Sequence, residues 1–155
     1  MFQVKTSVII ENIHETIAGI CNRVHPDCVV CSDSNENGLH LKFMVSDDGS
    51  VSAGFECTES LQGYPGILHG GVITTILDGA MGHCMFARGL TAVTVEMTTR
   101  FKLPVKTGQG ATVHARITRS SHPLYLLEAE IIQGGKVRVT AKSKFYHKQD
   151  LQKKN

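Results

Sequence analysis

One long helix pattern lies between two groups of strand patterns, and this order constrains the fold more than any other feature. From about Leu68 to Phe86, apolar residues recur at the 3.6-residue spacing of an amphipathic helix. Two strand patterns precede it, and four follow it without a helix between them. This segregation indicates an α+β domain with an antiparallel sheet, because parallel strands need long crossover connections. A sheet of about six strands that curls around the helix would bury its apolar face.

The strands are predicted from alternation of apolar and polar residues. Two early strands are expected over 39–45 and 51–55, joined by a turn at 47–49. Four later strands are expected over 93–103, 111–117, 124–131 and 137–145, with Gly134-Gly135 as a tight hairpin link. Residues 8–24 carry another amphipathic helix pattern. We therefore expect a single domain over residues 1–155, with an N-terminal helix within 1–24 and a flexible tail at 148–155.

Composition argues against several classes of function. The chain has 155 residues, 41% of them hydrophobic, and a net charge of +2 from scattered Lys and Arg, so no nucleic-acid partner is expected. The N-terminal residues lack the apolar segment of a signal peptide, and no apolar run approaches the length of a membrane span. The five cysteines form an odd number without the spacing of a disulfide scaffold. We therefore expect reduced thiols, a cytoplasmic location and no membrane partner.

The spacing His25-x2-Cys28-x2-Cys31 is compatible with part of a zinc site. A structural zinc site needs four ligands, and the sequence shows no second pair at the spacing of a zinc finger. The sequence therefore predicts packed thiols in a buried loop, and neither a metal nor another cofactor.

The central helix is predicted to carry one carboxylate, Asp78, opposite its apolar face. That apolar face comprises Val72, Ile73, Ile76, Leu77, Ala80 and Cys84, while Gly71, Thr74, Thr75, Gly82 and Met85 are predicted on the side of Asp78. Gly79 and Gly82 each cost the helix about 1 kcal/mol relative to Ala. We therefore expect another subunit or a ligand to approach the backbone of this helix closely.

The start of the same helix offers amide donors to a negatively charged oxygen. The N–H groups of Gly70 and Gly71 lie in the first turn, at the positive end of the helix dipole, and no Cβ shields them. Such a pair can form an oxyanion hole, while an ionised Asp78 could activate water or attack directly. Gly70 and Asp78 are eight residues apart, which is about 12 Å along a helix. One carbonyl group cannot contact both, so we expect a two-fold dimer that combines Asp78 of one chain with the amides of another.

The segment GYPGILHGG, followed by six residues and Asp78, resembles the PaaI-like family of hotdog-fold acyl-CoA thioesterases. The resemblance extends over about residues 24–147 in strand order and is most specific over 62–104. It implies a hotdog fold, in which a curved antiparallel sheet wraps around a long central helix. It further implies hydrolysis of an acyl-CoA thioester to free acid and CoA without a cofactor. Family members are dimers, often paired into tetramers, with sites across the subunit interface.

By this resemblance, Asp78 corresponds to the family's catalytic carboxylate, which acts as general base or nucleophile. Gly70 or Gly71 corresponds to the backbone donor to the thioester carbonyl. His69 precedes them at the helix start. We favour a role for His69 in placing the loop, by donating a hydrogen bond, over a role as general acid. Thr94 corresponds to the hydroxyl that helps to hold water near the carboxylate.

The sequence departs from the family pattern at two positions. Relatives often carry a second acidic residue where this chain has Gly79, and we expect a modest effect because that side chain would point elsewhere. Some relatives place Asn where this chain has Gly63, and the neighbouring Gln62 is expected to supply the amide donor.

A polar face of the strand after the central helix supplies further candidates. Thr94, Glu96 and Thr98 are predicted to share this face, with Glu96 as a solvated carboxylate. Arg100 and Lys102 on the same face are candidates for binding CoA phosphates, because Arg binds phosphate with two hydrogen bonds.

Two other functions remain open on the sequence alone. An acyl-thioester hydratase or dehydratase has the same fold but needs a His beside a carboxylate, which His69 and a partner's Asp78 could imitate. The other function is that of a non-catalytic acyl-CoA-binding protein. It remains an alternative because this chain has Gly79 where relatives often carry a second acidic residue. The acyl group and the choice between dimer and tetramer cannot be deduced from one chain. The acyl pocket is expected to draw on both subunits, with Met81, Met85 and the first helix as candidate walls.

Overall fold

The fold is an antiparallel sheet packed on one central helix. The computed structural model describes the backbone of residues 2–152 and the side chains of residues 11–151. The elements in chain order are α1 (Phe2–Val24), β1 (Met44–Val45), β2 (Val51–Glu56), α2 (Gly70–Phe86), β3 (Ala92–Phe101), β4 (Gly110–Ser121), β5 (Leu124–Gln133) and β6 (Lys136–His147). Short 3-10 helices occupy Glu59–Leu61 and Gln149–Gln152. No helix in the described part of the chain is both long and apolar enough to cross a membrane.

The six strands form one sheet in the order β1-β2-β4-β5-β6-β3, and every neighbouring pair is antiparallel. The predicted α+β class and the curved sheet around a central helix are confirmed. The strand β3 follows α2 directly but lies at the far edge of the sheet, where it pairs with β6. One edge of β3 therefore remains unpaired within the described residues.

The helix α2 forms the centre of the hydrophobic core. Its buried residues are Ile73, Ile76, Leu77, Ala80, Met81, His83, Cys84, Met85 and Phe86. They pack on inward-facing residues of β2, β4, β5 and β6, such as Val113 and Ile131, both of which are fully buried. Met81 and Met85 are 0% and 1% exposed. The prediction that they line an acyl pocket is wrong, and so is the placement of Met85 on the side of Asp78, because both fill the core.

Two predicted turns are confirmed by backbone conformations that favour glycine. Gly49 has a φ of 78°, and Gly134 and Gly135 have φ values of 60° and 71°. Two consecutive residues with positive φ are typical of the tight turn that matches the twist of a hairpin. The link between β5 and β6 is therefore fixed by its two glycines.

The predicted strand over 39–45 is mostly wrong. Only Met44–Val45 pairs with β2, while the N–H groups of Leu39 and Leu41 donate to the carbonyls of Val29 and Val30 at 2.7 and 2.8 Å. The alternation of burial in this segment is real, since Leu41 and Val45 are buried. The apolar side chains pack as a strand would, but their backbone holds the 25–31 loop rather than extending the sheet.

Residues 148–152 follow β6 and make backbone contacts with the rest of the fold. Lys148 N–H donates to the carbonyl of Thr91, and Thr91 Oγ1 donates to the carbonyl of Lys148. Gln149–Gln152 then forms a 3-10 helix. The tail predicted to be flexible over 148–155 therefore begins with residues that make defined contacts, and residues 153–155 lie outside the described residues.

Candidate active site

The carboxylate of Asp78 and the hydroxyl of Thr94 meet in one chain. Thr94 Oγ1 donates a hydrogen bond of 2.6 Å to Asp78 Oδ1, joining the middle of α2 to β3. The pair lies in the wall of a cavity of about 570 Å³. Other walls are provided by Thr74, Thr75, Gly79 and Gly82 of α2, by Val93 and Met97 of β3, and by Val29 and Val30 of the preceding loop. The two residues singled out for water activation are thus brought together.

A β-bulge in β3 turns Thr94 towards the helix. The pairing of β3 with β6 shifts by one residue between Thr94 and Glu96. A shift of one residue moves every later side chain to the other face of the sheet. Glu96 accordingly points away from Asp78 and forms a 2.6 Å ion pair with Lys144. The prediction that Thr94, Glu96 and Thr98 share one face is wrong, because simple alternation does not reveal a bulge.

The helix start distinguishes the two glycine amides. His69 is the N-cap of α2, and its Nδ1 accepts a hydrogen bond of 2.9 Å from the N–H of Gly71. The N–H of Gly70 has no acceptor within the part of the chain that the structure describes. Gly70 is therefore the available donor, whereas the amide of Gly71 is used by the cap. His69 places the helix start as predicted, but its ring accepts the hydrogen bond rather than donating it.

The loop before the helix is closed by its own hydrogen bonds. Gly63 N–H donates to the carbonyl of Ile67, and Ile67 N–H donates to that of Tyr64, both at 2.9 Å. The side-chain oxygen of Gln62 accepts from Gly66 N–H at 3.1 Å, so Gln62 holds the turn. Gly66, with a φ of 77°, is required at this position. The exposed amide nitrogen of Gln62 is left available as the donor that the sequence predicts.

The two ends of the helix line different cavities of the chain. Gly70 and His69 border a cavity of about 410 Å³, with the Tyr64 loop on one side and Phe101 and Leu103 on the other. Asp78 lies eight residues further on, which places it about 12 Å away in a continuous helix. No cavity described for this chain includes both Gly70 and Asp78.

The predicted phosphate-binding residues lie apart from Asp78. Arg100 lines a groove on the sheet face opposite α2, where Glu128, Glu130 and Lys142 also lie. Its prediction as a CoA contact finds no support in the geometry of one chain, because the bulge turns it away from the helix. Lys102 borders both that groove and the cavity at the helix start. Lys102 therefore remains within reach of a ligand that occupies the Gly70 cavity.

Gly79, next to the carboxylate, is contacted by the chain's own loop. A Cβ atom built on Gly79 would lie 2.6 Å from Cγ1 of Val30, which is 6% exposed. The close approach predicted for this glycine is therefore real, but the group that approaches is Val30 of the same chain. A side chain at position 79 would collide with Val30 rather than point elsewhere. The sequence does not reveal this contact, because Val30 lies in a loop without a periodic pattern.

A cluster of thiols and imidazoles adjoins the Asp78 cavity. Cys21 of α1 and His83 of α2 lie beside the predicted trio His25, Cys28 and Cys31. Interaction with the Cys31 thiol lowers the pKa of Cys28 to about 3 and that of Cys21 to about 5. By contrast, burial raises the pKa of two cysteines outside the cluster, Cys57 to about 11 and Cys84 to about 12.

The sequence pattern does not reveal a second pair of side chains able to bind a metal. No such pair occurs at the spacing of a zinc finger, but the fold brings Cys21 and His83, which are 62 residues apart, beside the other three. Cys21, four residues before His25, was a visible signal. His83 was not, because its neighbours in space are set by how α2 packs on α1.

The six-stranded antiparallel sheet packed on one central helix is a hotdog-like thioesterase fold. Residues 65–140 match the sequence profile of the family described as Thioesterase superfamily. The structure superposes on the E. coli PaaI protein from the phenylacetic acid degradation operon with a TM-score of 0.75, at 18% identity, covering 90% of this chain and 96% of that chain. A Streptococcus mutans protein bound to acetyl CoA gives a TM-score of 0.66, at 19% identity, covering 70% of this chain and 88% of that one. In sequence the chain is thus similar to the thioesterase superfamily over residues 65–140, and in fold it is similar to the two solved structures over most of its length.

A sequence relative carries a more specific name. The Bos taurus acyl-coenzyme A thioesterase THEM4 is 34% identical over 73 residues, which cover 45% of this chain and 30% of that protein. The chain therefore spans less than a third of the length of this relative.

Proposed function

We propose that this chain is an acyl-CoA thioesterase, which hydrolyses an acyl-CoA thioester to a free acid and CoA. The observation that carries the proposal is the 2.6 Å hydrogen bond between Thr94 and Asp78 in a cavity wall. The free N–H of Gly70 at the positive end of the same helix complements it. The name of the THEM4 relative and the acetyl CoA bound to the S. mutans protein support the substrate class.

The chemistry follows from what each group offers. Thr94 holds Asp78 Oδ1, and Asp78 Oδ2 then accepts a proton from water as the water oxygen attacks the thioester carbon. The carbonyl oxygen gains negative charge, which a Gly70 N–H stabilises. The C–S bond breaks, and CoA leaves as a thiolate that takes up a proton. Direct attack by the carboxylate, followed by hydrolysis of the resulting anhydride, gives the same products.

The catalytic unit in this proposal is a two-fold dimer. Gly70 and Asp78 of one helix are too far apart for one carbonyl, so each site combines Gly70 of one chain with Asp78 and Thr94 of the other. The unpaired edge of β3 supports this assembly. It is ten residues long, and Val93 and Val95 on it are 37% and 56% exposed. A long exposed apolar edge strand favours pairing with a second chain.

The test measures release of free CoA from a panel of acyl-CoAs by the wild type, Asp78→Asn and Thr94→Val. Asp78→Asn keeps the side-chain shape but removes the base, so we expect a loss of about 10²–10⁴-fold in kcat. Thr94→Val keeps the β-branched shape and removes the hydroxyl, so a smaller loss is expected. CoA should be quantified by chromatography, because the five cysteines of the chain also react with thiol reagents.

Two outcomes would contradict the proposal. Equal and negligible release by wild type and Asp78→Asn, with retained binding of acyl-CoA, would indicate a non-catalytic binding protein. Addition of water to an enoyl-CoA without release of CoA would indicate a hydratase.

A further inference from the structure

Five ligating side chains from three segments converge behind the C-terminal half of α2. Cys21 comes from the last turn of α1, His25, Cys28 and Cys31 come from the following loop, and His83 comes from α2. They form two trios that share Cys31: Cys21, Cys31 and His83, and His25, Cys28 and Cys31. Within each trio the ligating atoms all lie within 4.8 Å of one another.

His83 is oriented as a metal-binding imidazole is. Its Nδ1 lies 2.8 Å from the carbonyl oxygen of Gly79, so Nδ1 carries the hydrogen and Nε2 presents a lone pair. Metal-bound histidines usually donate their other ring N–H in this way. Nε2 lies 3.7 Å from Sγ of Cys21. Two ligands of one tetrahedral zinc ion, bonded through N and S, lie about 3.6 Å apart.

The loop presents its thiols in a similarly prepared geometry. Val30 N–H donates to Sγ of Cys28 at 3.4 Å, an interaction that favours a thiolate. Nδ1 of His25 is buried and has no hydrogen-bond partner within the described residues. A buried polar atom without a partner is uncommon in folded proteins, and coordination of a metal ion would satisfy the lone pair of this nitrogen.

The two trios require a ligand that contacts both. A disulfide would join only two of the three thiols and would leave Nδ1 of His25 without a partner. A single ion bonded to the shared Cys31 draws on both trios. Three thiols and an imidazole are one of the ligand sets that bind Zn²⁺ in closed structural sites.

We propose that Cys21, Cys28 and Cys31, together with the imidazole of His25 or His83, bind one structural Zn²⁺ ion. Binding replaces the thiol protons by the ion and involves no redox change. The ion joins α1, the 25–31 loop and α2. Because Val30 lies between Cys28 and Cys31 and packs on Gly79, the ion also fixes the wall of the Asp78 cavity.

The first measurement uses the full-length protein, purified without a His tag under reducing conditions from zinc-supplemented cells. We expect elemental analysis to find one zinc per chain. Addition of Co²⁺ to chelator-treated protein should produce thiolate-to-cobalt charge-transfer bands and the intense visible bands of tetrahedral cobalt. Chelation should lower the Tm of the wild type, since the ion binds the folded state.

Variants assign the ligands. Cys31→Ser removes the residue common to both trios, so we expect it to abolish the cobalt bands and the effect of chelator on the Tm. Cys57→Ala, a buried cysteine outside the cluster, is the matched control and should retain both. Comparison of His25→Ala with His83→Ala identifies the fourth ligand, whose loss should weaken Co²⁺ binding by more than about tenfold.

Three results would overturn the proposal. The first is that the wild-type protein contains no zinc and, after chelator treatment, gives no cobalt–thiolate bands with Co²⁺. The second is Cys31→Ser binding Co²⁺ as tightly as the wild type. The third is a disulfide between two of the clustered thiols in freshly isolated protein that does not bind Co²⁺ after reduction. None of these readouts depends on thioesterase activity, so the zinc site and the proposed function are tested separately.

Discussion

At the scale of single residues, the sequence locates Asp78 and Thr94 but cannot choose between the two glycine amides. The carboxylate of Asp78 stands out because it is predicted opposite the apolar face of a helix. In the structure it accepts a hydrogen bond of 2.6 Å from the hydroxyl of Thr94. The choice between Gly70 and Gly71 depends on the ring of His69, which caps the Gly71 amide. A spacing does not encode the conformation of one side chain, so this detail emerges only in three dimensions.

Gly70 can be tested by a substitution that removes its N–H and little else. Proline is tolerated at the first position of a helix, and His69, with a ψ of 134°, already has the extended conformation that precedes proline. Gly70→Pro should lower kcat by about 10²–10³-fold, the usual cost of one oxyanion donor.

Gly70→Ala is the matched control for this substitution. It keeps the N–H, and its Cβ would make ordinary contact with Phe101 at 3.5 Å. It should therefore lose far less activity than Gly70→Pro. Equal kcat values for the two variants, measured by CoA release, would show that the amide is not used.

At the scale of elements, periodicity predicts most helices and strands but fails where pairing overrides it. The four long strands and both long helices lie where alternation and the 3.6-residue spacing place them. The segment 39–43 has the alternation of a strand but bonds to a loop. The bulge in β3 changes which residues share a face. Both depend on partners distant in sequence, which a local pattern does not contain.

The contact between α2 and the 25–31 loop predicts opposite effects for two helical glycines. Replacing a helical glycine by alanine is worth about 1 kcal/mol in helix propensity. Gly82 has nothing within 4 Å of an added Cβ, so Gly82→Ala should raise the free energy of unfolding by up to that amount. Gly79→Ala places a methyl group against Val30, and such overpacking costs about 1–3 kcal/mol.

Denaturant unfolding of both variants measures these differences. In a Val30→Ala background, Gly79→Ala should cost less stability than in the wild type, because the nearest methyl group is absent. A stabilised Gly79→Ala protein would show that the loop does not press on the helix.

At the scale of the whole molecule, the sequence predicts that two chains are needed. The helix rise separates Gly70 from Asp78 by about 12 Å, and the structure gives each its own cavity. The surface that we propose for the second chain, β3 and the exposed side of α2, cannot be read from a local pattern. It follows from the position of β3 at the edge of the sheet.

Subunit complementation tests this arrangement directly. Asp78→Asn and Gly70→Pro chains are each expected to be nearly inactive as homodimers. A mixed dimer has one site with both functional groups and one site with neither. Random re-pairing of equal amounts should therefore restore about one quarter of the wild-type rate. Absence of recovery, with mixed dimers verified by native mass spectrometry, would place each complete site within one chain.

The edge position of β3 also sets the order in which the site can form. The partner of β3 within the described chain is β6, the last strand of the sheet. During synthesis, the residues of Asp78 and Thr94 leave the ribosome well before Lys136–His147 is available to hold β3 in place. Such pairing between distant segments is slow to form. The carboxylate and its hydroxyl partner therefore come together only after β6 has been synthesised, so a chain interrupted before β6 has both residues but no site.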